Sequence, residues 1–167
     1  MKLSDVANYA AKYVGLVGQS YGHGPEIDKW LALVYEPPGN SWCAAFVVGM
    51  FREAFGERQP VPRVAGALKL WGRSPREWRS REPSPGMIYV VDHGRGQGHV
   101  GIVEAVDADA AGGTQVTEIS GNTNPVGSRT GNAVERHWWS LESARNGMPV
   151  HGGTLVGFLA PVISQNA

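Results

Sequence analysis

Cys43 is the only cysteine of the chain, and the residues around it could give it chemistry. It follows the turn Glu36-Pro37-Pro38-Gly39-Asn40-Ser41 and opens an apolar run, Trp42 to Phe51. That places it at a helix start capped by Asn40 or Ser41. There, unpaired N–H groups and the helix dipole favour an anion, lowering a thiol's pKa. The same N–H groups suit an oxyanion formed one bond away. A lone cysteine can equally be a small buried hydrophobe. His99, in Gly98-His99-Val100-Gly101-Ile102-Val103, stands at the start of an apolar strand. Flanking glycines such as Gly98 are expected to leave its ring open to a substrate. A histidine can take a thiol proton near neutral pH and return it to a leaving amine. His93 is its rival in the same hairpin, while His23, His137 and His151 read as solvated loop residues. Glu118, Ser120 and Asn122 alternate along one strand, so all three could face one site. Asn122 or Glu118 could accept from the far imidazole N–H and fix its tautomer, although Gly121-Asn122-Thr123-Asn124 also reads as a turn.

Competing chemistries are less well supplied. His23, His99 and Cys43 could together bind zinc, but their context suits a thiol enzyme better, and no metal or cofactor is expected. Glu104 and Glu118 could serve a glycosidase, which would leave the thiol unexplained. Gly94-x-Gly96-x-Gly98 opens a strand rather than a helix and is no nucleotide site. The tryptophans read mainly as core; Trp42 next to Cys43, and Trp71 and Trp78 in an irregular stretch, are candidates for lining a substrate groove.

The elements that must position these residues change character along the chain. Ser4 or Asp5 can start a first helix whose apolar face runs Val6, Ala10, Tyr13, Val14 and Val17. Pro25 suits the first position of a second helix, over 26–34. A third, over 42–55, is apolar on nearly every side and reads as the buried central helix. A short helix is expected near 64–71. Then come segments rich in β-formers at 87–91, 100–106, 115–119, 133–138 and 155–159, separated by glycine-rich turns. Helices first and strands afterwards predict an α+β domain with helices packed on an antiparallel sheet.

Composition bounds the rest. At 167 residues the chain is expected to form one domain. Fifteen basic residues balance fifteen acidic ones, which argues against a nucleic-acid binder. A single cysteine excludes an intramolecular disulfide framework. The longest apolar run is about half of what a bilayer span requires, so no membrane insertion is expected. Asp5 and Asn8 interrupt what would be a signal peptide's apolar region, so synthesis as a soluble cytoplasmic protein is expected.

Asn40-Ser41-Trp42-Cys43-Ala44-Ala45-Phe46-Val47, Gly98-His99-Val100-Gly101-Ile102-Val103 and Ser120-Gly121-Asn122-Thr123-Asn124 together resemble the signature segments of the CHAP family. These are cysteine, histidine-dependent amidohydrolases and peptidases of the NlpC/P60, papain-like group. The likeness covers roughly residues 5 to 160. It implies a papain-like α+β fold, hydrolysis of peptidoglycan amide bonds without a cofactor, Cys43 as nucleophile, His99 as base and Asn122 as the orienting group. A protonated His99 paired with a Cys43 thiolate is the implied starting state. Where many members carry Glu two residues before this Asn, this chain has Ser120, with Glu118 further back on the same face. With neither a wall-binding module nor a signal peptide, a monomeric phage lysin is expected, or a secreted toxin with an immunity protein as partner, acting on the cell wall after release. The alternative is an inactive relative that only binds peptidoglycan or a protein.

Overall fold

The computed structural model describes residues 1–127 and 131–163. Its helices are α1 (Asp5–Ala11), α2 (Pro25–Leu33), α3 (Cys43–Phe55), α4 (Ala67–Arg73) and α5 (Leu141–Arg145). Its strands are β1 (Arg79–Ser80), β2 (Ile88–Gly94), β3 (Gln97–Ala108), β4 (Thr114–Thr123), β5 (Ala133–Ser140) and β6 (Thr154–Leu159). The strands form one sheet in the order β1-β6-β2-β3-β4-β5, and every neighbouring pair is antiparallel. This is the α+β arrangement read from the sequence, consistent with a papain-like fold.

α3 is the central helix because its sequence leaves it no polar side: ten of its thirteen residues are buried. It packs closely on α2 where Gly49 omits a side chain; a Cβ there would lie 2.3 Å from Cδ1 of Trp30. Trp30 in turn meets Phe46 edge-on at 5.2 Å and stacks on Trp42 at 6.0 Å. Fully burying side chains of this size contributes about 1.5–3 kcal/mol each.

Adjacent strand residues point to opposite faces, and the two faces have separate cores. Ile88, Val90, Val100, Ile102 and Ile119 belong to the core beneath the N-terminal helices. Tyr89, Val91, Val103, Val116 and Phe158 lie on the other face with Leu141 and Ala144 of α5. The sequence reading missed α5, whose start is capped by the Ser140 hydroxyl accepting from the Ser143 N–H at 3.2 Å.

α1 is shorter than its apolar spacing predicts. After Ala11 the backbone continues in three-residue hydrogen-bonded turns and Gly15 adopts φ 88°. Val17 then bridges Ala133, so Val17 belongs to an extended segment and not to a helical face. Gly121-Asn122-Thr123, expected as a turn, continues β4. The pairing with β5 slips between Ser120 and Thr123, and Asn122 takes φ 60° at this bulge.

Candidate active site

The N-terminus of α3 is built without a polar cap. Trp42 is the N-cap and makes no side-chain cap bond, and the first turn has no acid. Asn40 and Ser41, the expected caps, are engaged elsewhere. Asn40 Nδ2 donates to Glu36 Oε2 at 2.9 Å, and Ser41 Oγ pairs with the Tyr21 hydroxyl at 3.1 Å. The first N–H groups of a helix have no intrahelical acceptor, and the helix dipole at this end favours an anion. Cys43, the first residue of this helix, is 6 % exposed.

Trp42 fixes this helix end on the sheet. A Cβ at Gly121 would lie 2.4 Å from Trp42 Cζ3 and 2.9 Å from Phe46 Cβ, so the start of α3 rests directly on β4 beside Asn122. Asn122 is buried at that junction. Trp42 is itself fully buried and stacked on Trp30. Its expected role in holding substrate is therefore replaced by one in holding the helix. Gly98 allows α4 to approach, since a Cβ there would meet Val91 O at 2.5 Å and Ala67 Cβ at 3.2 Å. Trp71 is a packed ring rather than an open platform, with the Arg79 guanidinium 4.7 Å above it and Gly157 at its edge.

The polar residues gather on the face opposite the helices. Val91 pairs with His99, Val103 with Glu118, and Glu118 with His137; cross-strand partners share a face. Ser120 lies on it too, near the Tyr89 ring and over Gly101. His99, Glu118 and Ser120 are all completely buried. The His99 ring is 4.9 Å from that of His151 and 6.3 Å from that of Tyr89. Cys43 borders this cluster through Tyr89, whose hydroxyl is held well above its ordinary pKa by burial and by the charges of Glu118 and Cys43. The bulge at Asn122 breaks the simple alternation that was to align it with Glu118 and Ser120.

His99 is thus not the open ring its flanking glycines suggested. Neither ring nitrogen has a hydrogen-bond partner among the described residues. Leaving a buried polar group unpaired costs about 1–3 kcal/mol, a cost found at catalytic positions. Burial, then the positive charge of His151, lowers its pKa from 6.5 to about 3. The resting imidazole is neutral, in contrast to the implied protonated partner of a thiolate.

His137 and His151, read as solvated, are the largest revision. His151 Nε2 lies 2.6 Å from Glu118 Oε1, and His137 Nδ1 lies 3.4 Å from the same oxygen. Despite its burial, the close contacts with the two rings hold Glu118 down at about pKa 2, and the nearby Glu118 carboxylate raises His137. The one signal available in the sequence was the alternation of β5, which turns His137 inward. His23, the histidine of the considered zinc set, pairs instead with Asp28 at 3.6 Å and is half exposed. Glu104 is held in a two-point pair by Arg136 while Glu118 is enclosed by histidines, so the two carboxylates of the glycosidase alternative have separate commitments.

A sheet carrying a buried histidine, with a cysteine at the start of the central helix laid across it, defines a papain-like thiol-hydrolase scaffold. A family model for the CHAP domain matches residues 35–122, and the chain belongs to the CHAP-domain family. Members of this family are typically cysteine, histidine-dependent amidohydrolases acting on peptidoglycan. No curated protein and no solved structure matches the chain.

Proposed function

We propose that this protein hydrolyses amide bonds of bacterial peptidoglycan through an acyl-enzyme on Cys43, with His99 as general base and acid. The observation that carries the reading is the position of Cys43 as the first residue of α3, where the helix dipole favours a thiolate, in a CHAP-family chain. Neutral His99 is the protonation state that can accept a thiol proton. As Cys43 Sγ attacks the carbonyl carbon, His99 takes that proton and the helix-end N–H groups receive the developing oxyanion. His99 then protonates the departing amine as the C–N bond breaks. A water attacks the thioester, gives a proton to His99 and releases the acid, and the proton returns to Cys43 Sγ. His99 makes no hydrogen bond in the substrate-free state, so substrate must draw the pair together, as is common when catalytic hydrogen bonds tighten on binding. Once substrate has drawn the site together, Asn122, at the junction of α3 and β4, accepts from the far imidazole N–H. The cell wall is the place of action, and the protein works as a monomer; as a lysin it would need no partner, as a toxin an immunity protein.

Incubation with purified sacculi tests this reading. New free amino groups without new reducing sugar are expected. Reducing ends appearing in step with solubilisation would overturn it in favour of a glycosidase. Sacculus binding with neither product would identify the inactive, wall-binding relative.

A further inference from the structure

Glu118, His137 and His151 each present one ligand atom, and these three atoms lie within 4.8 Å of one another. Among the described residues they are the one such group. We propose that they form a site for a divalent transition-metal ion, best matched by zinc, behind His99.

The outer hydrogen bonds select the atoms. His151 Nδ1 lies 2.7 Å from Gly127 O, and His137 Nε2 lies 3.0 Å from Asn124 O. A carbonyl can only accept, so each of these nitrogens carries a proton. The opposite nitrogens, His151 Nε2 and His137 Nδ1, are thereby turned towards Glu118 Oε1. A backbone carbonyl on the far N–H is how metal-bound histidines are commonly oriented. Glu118 Oε2 is buried without a hydrogen-bond partner among the described residues, so it has lone pairs to offer. Zinc bonds of about 2.0–2.2 Å in a tetrahedral set put ligand atoms roughly 3.3–3.5 Å apart. The 3.4 Å separation of His137 Nδ1 from Glu118 Oε1 already fits. The 2.6 Å contact with His151 is a proton-shared bond that widens when the ion replaces the proton. The Tyr89 hydroxyl, 3.2 Å from His151 Nε2, borders the fourth position. Two imidazoles with one carboxylate favour zinc over calcium or magnesium, which prefer all-oxygen sets.

Two further features fit. His151 and Gly152 form the two-residue tip of a tight hairpin closed by Val150 and Gly153. Both have positive φ, 49° and 78°, where Asn or Gly is the usual choice. Keeping histidine there costs backbone strain and aims the ring at Glu118. An open cleft of about 300 Å³, lined by Gly127, His137, Trp139, Pro149 and His151, gives an ion a route in from solvent.

Zinc titration of chelator-treated protein at neutral pH, read by competition with a chromophoric indicator, tests the site without reference to activity. One equivalent is expected to bind at micromolar or lower concentration. His151→Asn suits the hairpin tip and so keeps the fold; it should weaken binding beyond the roughly 10–100-fold that loss of an outer-sphere partner costs. Glu118→Gln should do the same, whereas Cys43→Ala should bind as before. Cobalt in place of zinc should give a tetrahedral spectrum without a thiolate charge-transfer band. No binding at 100-fold molar excess, binding unchanged in His151→Asn, or binding lost in Cys43→Ala would each overturn the proposal.

Discussion

Beneath the N-terminal helices the sheet presents Val90, Val100, Ile102 and Ile119, all fully buried and all apolar. On its other side the same strands place His99, Glu118 and Ser120, equally buried, between Tyr89 and the histidines of β5 and the 150–153 hairpin. The helical face holds α3 in position through area and shape, so its stabilisation is insensitive to pH. The polar face depends on which groups carry protons, and its stabilisation is not. Cys43 sits where the two meet.

Breaking that junction should have the largest effect. General acid–base groups contribute about 10²–10⁴-fold, so His99→Ala should lower amide release from sacculi by at least that range, while His93→Ala leaves most of it. The reverse pattern would assign the base to the wrong strand of the hairpin.

Stability separates the two faces next. Phe46→Ala, beneath α3, should cost about 3–5 kcal/mol at every pH where the protein folds. Glu118→Ala leaves two histidines facing a void and should cost a similar amount near neutrality, about 3–5 kcal/mol. That cost should shrink as pH falls from about 4.5 towards 2, where the unfolded carboxylate takes up a proton that the folded one refuses. Urea unfolding of both variants from pH 2.5 to 8 checks this; curves that stay parallel down to pH 2.5 would deny the contrast.

A smaller effect lies in the wild type. His99 has a folded pKa of about 3 against 6.5 unfolded, so as pH falls below 6.5 the unfolded state gains a proton the folded state refuses. Stability is then lost at about 1.4 kcal/mol per pH unit, or about 3 kcal/mol between pH 6.5 and 4.5. Below 4.5 the depressed Glu118 adds to the loss, because the unfolded carboxylate protonates first. The raised His137 acts on the other side: what it contributes is complete below 6.5 and is lost as pH rises through its folded pKa. Urea midpoints should peak near pH 6.5, and His99→Gln should flatten the acid limb. An acid limb unchanged in His99→Gln would show that His99 is not held neutral.

The smallest effect is expected at Glu104. Its pair with Arg136 is solvent-facing, so Glu104→Gln should cost under about 1 kcal/mol and leave amide release intact. A large loss of activity would revive the two-carboxylate alternative.

The helical face was legible in the sequence because burial on all sides writes an unbroken apolar run, as in Trp42 to Phe51, and because Pro25 marks a helix start. The change from helices to strands gave the sheet in the same way. That Cys43 opens a helix and His99 lies near the start of a strand was legible through their local settings. The polar face was not. His137 and His151 sit 14 residues apart, one on an edge strand and one in a hairpin, and nothing local says that both turn to Glu118. The bulge at Asn122 left no mark beyond a turn-like composition. α1 was read too long because Tyr13 and Val14 pack partly buried against the core without being helical, and because Val17, exposed on an extended segment, happens to continue their spacing.

The most direct test of the central claim is intact-mass analysis of the protein quenched during turnover of muropeptides. The account predicts a hydroxylamine-labile acyl adduct that maps to Cys43. In Cys43→Ala both the adduct and the release of amino groups should be absent. Amino groups released at the wild-type rate by Cys43→Ala would contradict it.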